Sequence, residues 1–185
     1  MTIIFSNHGD ADCRALTELW RTWDFPFKLV EIRKKDEYAD LRVTNALINE
    51  DDTLILIGHG TTHGLLHPNF NSGEYLIHEE NVNLIHAKRV YCSWCYASTF
   101  CQNHHLKSFA TSMFISNVNE AADNCIYGYT QEQIDATSRR FEADMSYLLL
   151  NNIPMDQWTM ILGAKMDIED AIDTFNRQGI MLITE

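Results

Sequence analysis

The chain has 185 residues, 45% of them apolar and 22% charged, a composition that supports a folded domain of ordinary size and excludes a disordered or collagen-like chain. Its 26 acidic residues outnumber 14 basic ones, giving a formal net charge of -12. With no basic stripe to offset that charge, a phosphate backbone is repelled and nucleic acid is not expected as a partner.

The opening residues, MTIIFSNHGDADC, carry neither a basic n-region nor the apolar stretch of a signal peptide. No run nears the roughly 18 apolar residues of a membrane span, so no membrane partner is expected. Five cysteines is an odd number, which fits reduced thiols in a cytoplasmic setting better than a disulfide framework. No linker, repeat or low-complexity tract divides the chain, and residues 1–185 read as a single domain.

Residues 2–6 (TIIFS) form a short β-branched and aromatic run that ends in a turn signal, Asn7-His8-Gly9-Asp10. Residues 11–23 place Leu16, Leu19, Trp20 and Trp23 at helical spacing before Pro26. Residues 27–32 read as a second strand and 37–49 as an amphipathic helix. Residues 53–57 (TLILI) are continuously apolar, as in a strand buried on both faces. Residues 65–85 carry Pro68-Asn69, Asn71-Ser72-Gly73 and a Tyr75-Leu76-Ile77 run, read as a β-hairpin and a short connecting helix. Residues 89–94 and 113–118 read as a fourth and a fifth strand. A long helix is expected over 130–150, with Thr130 as N-cap and Ile134, Phe141, Met145, Leu148 and Leu149 on one face. Residues 158–163 and 168–175 and a short apolar run at 180–183 complete the chain.

Strands alternating with helices predict an α/β fold with a mainly parallel sheet, helices on both faces and a β-hairpin after the third strand. In such sheets ligands bind beyond the carboxyl ends of the strands. Three ends there carry chemistry: Asn7-His8-Gly9-Asp10, Gly58-His59-Gly60 and Trp94-Cys95-Tyr96-Ala97.

His59 follows TLILI directly and lies between two glycines, which permit close approach of a substrate. Cys95 ends the run RVYCSW and precedes the small residues Ala97-Ser98-Thr99. A thiol at the start of a helix is expected to have a lowered pKa and thiolate character. Cys92, inside the strand, reads as a buried inert cysteine. On successive parallel strands, the ends carrying His59 and Cys95 are neighbours, so both side chains can converge on one carbonyl.

The pair TLILIGHG and RVYCSWCYAS, with THGLLHPNFNSGEYLIHEENV between, resembles the clan CD cysteine peptidases: caspases, legumains, gingipains, clostripain and separases. Their signature is an apolar strand ending in His-Gly, an excursion, and a second strand ending in a small residue and Cys. The resemblance covers roughly residues 1–150. Two features depart from it: Trp94 stands where the family usually has a small residue, and no glycine follows Cys95 closely.

The resemblance implies a three-layer caspase-like sandwich and a cysteine endopeptidase acting on a peptide or protein substrate. Cys95 would attack the scissile carbonyl as thiolate, and His59 would protonate the departing amine as general acid. The backbone N–H groups of Gly60 and Cys95 would hold the oxyanion. No third catalytic side chain, metal or organic cofactor is implied. The loops after the first and fifth strands line the specificity pocket in caspases. Here they offer Asp10 and Asp12, then Ser116, Asn117, Glu120 and Asp123. A carboxylate reaching that pocket would select Arg or Lys before the cut. His8 also falls near the cleft, since the first and third strands are usually adjacent in this fold.

Two other readings compete. Cys92-x-x-Cys95 with His59 and His63 supplies zinc-type donors, but a second CxxC pair is missing, and residues three apart on a strand face opposite sides. His86, His104 and His105 lack matching partners and read as surface residues. A noncatalytic caspase-like binding or signalling module would use the same strand ends without nucleophilic chemistry. No GxGxxG or Walker loop supports a nucleotide. Nothing in the residues specifies an oligomeric state.

Overall fold

The structure is a computed structural model that describes residues 1–69 and 73–184. A six-stranded sheet runs through it in the order β2-β1-β3-β7-β8-β9. Its strands are β1 (Thr2–Ser6), β2 (Lys28–Ile32), β3 (Thr53–Ile57), β7 (Arg89–Ser93), β8 (Ser108–Thr111) and β9 (Ile180–Ile183). The first five are mutually parallel; β9 joins antiparallel to β8 at the edge. β1 and β3 are buried at every position, which explains their continuous apolar sequences.

Alternate side chains enter two cores. Ile4, Leu54, Leu56, Val90, Cys92 and Ala110 pack under α3 (Ala39–Asn49) and α4 (Ala97–Asn103). Ile3, Phe5, Ile55, Ile57, Tyr91 and Phe109 pack under α1 (Ala11–Leu16), α2 (Glu18–Arg21), α6 (Gln131–Leu150) and α7 (Trp158–Ala164). Helices therefore cover both faces of the sheet. A smaller cluster of Ile115, Ala121, Ile134 and Ile172 joins α5 (Val118–Asp123), α6 and α8 (Ala171–Gln178). No helix among the described residues is long and apolar enough to cross a membrane.

The excursion between β3 and β7 forms a small antiparallel sheet of β4 (Gly60–Thr61), β5 (Gly64–Leu66) and β6 (Tyr75–Ile77), followed by a 3-10 turn at Val82–Leu84. The expected hairpin and connecting helix are thus present. Asn71 and Ser72 of the expected turn lie outside the described residues. The long helix begins where its signal lies: Thr130 and Gln133 cap each other reciprocally.

Two expectations are corrected. The fifth strand is Ser108–Thr111, not 113–118. Its polar ends are buried and self-satisfied: Ser108 Oγ donates to the Leu106 carbonyl at 3.1 Å, and Thr111 Oγ1 to the Trp94 carbonyl at 2.8 Å. Reading by apolar runs therefore passes over it. Residues 113–117 are instead a loop, and Val118 begins α5. There Asn176 pairs with the backbone of Ile115, accepting from its N–H at 2.7 Å and donating to its carbonyl at 3.0 Å. The helix expected over 11–23 is also two short pieces, and the Thr17 hydroxyl bonds back to the Arg14 carbonyl at 2.6 Å where they meet.

Candidate active site

The chain steps from β1 to β2 on one side and then to β3 on the other, so the crevice beyond β1 and β3 is a topological switch point. β3 and β7 pair in a register that sets Ile57 opposite Ser93. His59 and Cys95 each lie two residues further on, at matching positions past neighbouring strands. Both line one pocket with Gly58, Ser93 and Trp94.

Local packing explains the sequence around each. A side chain at Gly58 would strike Ser6 at 2.7 Å, and its φ of +152° disfavours other residues. A Cβ on Gly60 would fall 2.0 Å from Trp94. The indole therefore lies against Gly60, and its Nε1 donates to the Thr61 carbonyl at 3.2 Å. The bulky residue before Cys95 and the glycine after His59 are matched pieces of one contact. On the other side of Cys95, Tyr96 takes a left-handed conformation (φ +66°), and its N–H donates to the Ser112 carbonyl at 3.0 Å. A non-glycine residue held at positive φ is costly and persists only when its surroundings enforce it.

His59 Nε2 donates to Asp10 Oδ2 at 2.8 Å. The carboxylate can only accept, so this nitrogen carries the proton and Nδ1 is left to exchange one. Burial works to raise the Asp10 carboxyl. The Cys13 N–H and the His59 ring outweigh it and hold the group below its usual range. His8 stacks edge-on against His59 with ring centres 4.9 Å apart, and its Nε2 lies 3.3 Å from Ser6 Oγ. Burial, then the neighbouring His59, lower its pKa to about 4, so His8 is neutral at pH 7.

The expectation of a lowered Cys95 pKa is reversed. Burial pushes the thiol up, and the Glu120 and Asp12 carboxylates push the same way against the N–H of Phe114. The helix that follows, α4, has only seven residues and cannot outweigh desolvation.

The expected specificity residues divide. Asp12, Ser116 and Glu120 line the pocket with His59 and Cys95. Glu120 accepts from the N–H and hydroxyl of Ser116 at 2.7 and 2.8 Å. Asn117 caps α5, and its Nδ2 donates to Asp12 Oδ2 at 3.3 Å. Asp10 sits at the His59 ring rather than in the pocket wall. Asp123 is exposed at the far end of α5, outside the lining. Sequence reasoning missed Ser138 and Glu142, which reach the same pocket from α6. Their signal was legible, since they continue the spacing of Ile134 along a face otherwise apolar.

The donors proposed for zinc do not gather. Cys92 is fully buried in the sheet core, whereas His63 is exposed and pairs its ring with Tyr75. Among the described residues, Asp10, Cys13 and His59 bring three possible ligand atoms within 4.8 Å of one another. Burial pushes the Cys13 thiol up to about 12, which opposes the thiolate a metal requires.

Fold and site together define an α/β protein with a thiol and an imidazole lining one pocket beyond the strand ends of a mainly parallel sheet. Comparison with protein-family models, with curated proteins and with solved structures finds no match for this chain.

Proposed function

We propose that the protein is a cysteine endopeptidase of the caspase-like type, working through a dyad of Cys95 and His59. The observation that carries this reading is the matched register of β3 and β7, which sets His59 and Cys95 at equivalent positions in one pocket. The six-stranded sheet, helices on both faces and small hairpin sheet after β3 agree with a caspase-like three-layer sandwich.

In this mechanism the Cys95 thiol loses its proton to His59 at Nδ1, the ring nitrogen that Asp10 leaves free. The sulfur attacks the scissile carbonyl, and the imidazolium returns the proton to the departing amine. Water then hydrolyses the thioester. Asp10 fixes the tautomer and offsets the charge that His59 carries in between. The N–H groups of Gly60 and Cys95 serve as the oxyanion donors. Because burial favours the neutral thiol, proton transfer to His59 accompanies substrate binding rather than preceding it.

A noncatalytic caspase-like module is the second reading, and the raised thiol pKa is the observation that favours it. Short fluorogenic peptides with varied residues before the scissile bond separate the two. The peptidase reading expects turnover that Cys95→Ala and His59→Ala each reduce by at least about 10³-fold. No turnover, with Cys95 inert to electrophilic peptides, would leave the binding module.

A further inference from the structure

Glu142 has no place in the dyad chemistry, yet it is the most conspicuous polar group of the pocket. It is 2% exposed, and its Oε2 has no hydrogen-bond partner. Ser138, one helical turn earlier, also buries a hydroxyl without a partner. Both side chains line the pocket that opens at His59 and Cys95. His59 and Cys95 are part-exposed while Glu142 and Ser138 are buried, so the pocket runs from the dyad to an unsatisfied carboxyl at its inner end. An unmet buried polar group costs stability, and a ligand that supplies donors recovers that cost.

The pocket's sign points to the ligand. Asp12 and Glu120 add two carboxylates, and no Lys or Arg lines it. Asp12 and Glu120 already accept hydrogen bonds. Glu142 forms no ion pair among the described residues.

We propose that Glu142 determines the specificity of this pocket, its carboxylate serving as counter-ion to an Arg or Lys side chain on the residue before the scissile bond. The placing of that residue before a scissile bond rests on the peptidase reading, but the pocket's affinity for a basic group does not. The guanidinium or ammonium donates to Glu142 Oε2, and the Ser138 hydroxyl accepts from the same group.

The test has a kinetic and a binding arm. Peptides identical except for Arg, Lys, citrulline or norleucine at the variable position are compared on wild type and Glu142→Gln. Wild type is expected to favour Arg over citrulline by on the order of 10²-fold in kcat/KM, and Glu142→Gln to erase that preference while still turning over citrulline. Efficient turnover without a basic preference, or a preference that survives Glu142→Gln, overturns the inference and leaves the peptidase standing. In the second arm, n-butylguanidinium and neutral n-butylurea are titrated into Cys95→Ala with and without Glu142→Gln. Guanidinium binding that Glu142→Gln abolishes supports the pocket even if no peptide is cleaved, and in that case the peptidase reading alone falls. No guanidinium binding to Cys95→Ala overturns the inference.

If Glu142→Gln does not fold, the pH dependence of the Arg-to-citrulline ratio in wild type decides. Both substrates meet the same Cys95 and His59, whose contributions cancel in the ratio. The groups left facing Glu142 are Asp12 from α1, Glu120 from α5 and the buried Tyr91 from β7. The ratio is expected to rise by about tenfold as pH passes from 7 to 9, and a flat ratio overturns the proposal.

Discussion

His8 and Glu142 are both held from water in their neutral forms, and their effects on stability run in opposite directions. Burial, then the neighbouring His59, lower the folded pKa of His8 from 6.5 to about 4. Its contribution is complete above pH 6.5 and is lost as pH falls through 4, by about 2 kcal/mol for a half-buried ring. Burial raises the Glu142 carboxyl from 4.5 to about 8. Its contribution is complete below pH 4.5 and is lost as pH rises through 8, on the order of 4 kcal/mol across that window. Thermal unfolding between pH 4 and 9 should therefore show a maximum on the acid side of neutrality. Glu142→Gln should leave the acid limb unchanged and raise stability at pH 9 by on the order of 3 kcal/mol. An unchanged alkaline limb would show that Glu142 is hydrated.

At the scale of elements, the site depends on two loops leaving adjacent strands and on the indole between them. Gly60 opens β4 and Trp94 follows β7, and no Cβ fits between them. Gly60→Ala is expected to destabilise by about 2–4 kcal/mol through overpacking. Trp94→Ala is expected to cost about 3–5 kcal/mol by emptying the same space. The double variant should be more stable than the sum of the two losses allows, because the alanine then enters the vacated volume. Strict additivity in denaturant unfolding would show that the two loops are not coupled through this contact. The bulk of Trp94 is thus matched by the missing side chain at Gly60.

At the scale of the whole molecule, a net charge of -12 surrounds a pocket whose lining holds Asp12, Glu120 and Glu142 and no Lys or Arg. Such a field concentrates cations and speeds their encounter. Under the peptidase reading, kcat/KM for basic peptides should fall by several-fold between 0.02 and 0.5 M salt, while neutral peptides respond little. Equal salt responses for the two classes would confine electrostatic selection to the pocket interior. The sheet order contributes too. By reversing direction at β1 and β3, it brings the loop of His8 and Asp10 against that of His59, 49 residues beyond Asp10.

The α/β class, the buried strands β1, β3 and β7, the capped helix α6 and the prominence of His59 and Cys95 were legible in the sequence. Those features rest on local patterns: apolar runs, cap residues, and reactive groups placed just past a strand. What the sequence alone did not decide depends on contacts between distant segments. β8 hides because its buried end Thr111 bonds to the carbonyl of Trp94, 17 residues away, only once folded, and the loop before α5 is held by Asn176 from α8. Asp10 reads as a pocket carboxylate until the sheet order brings it to the His59 ring. Cys95 reads as an activated thiol because a helix follows, yet its pKa is set by desolvation, a property of everything packed around it. Glu142 interrupts an apolar helical face in the sequence. Only the tertiary structure shows that this face meets the same pocket as His59 and Cys95, because a helix's period says which side chains are buried and not what they are buried against.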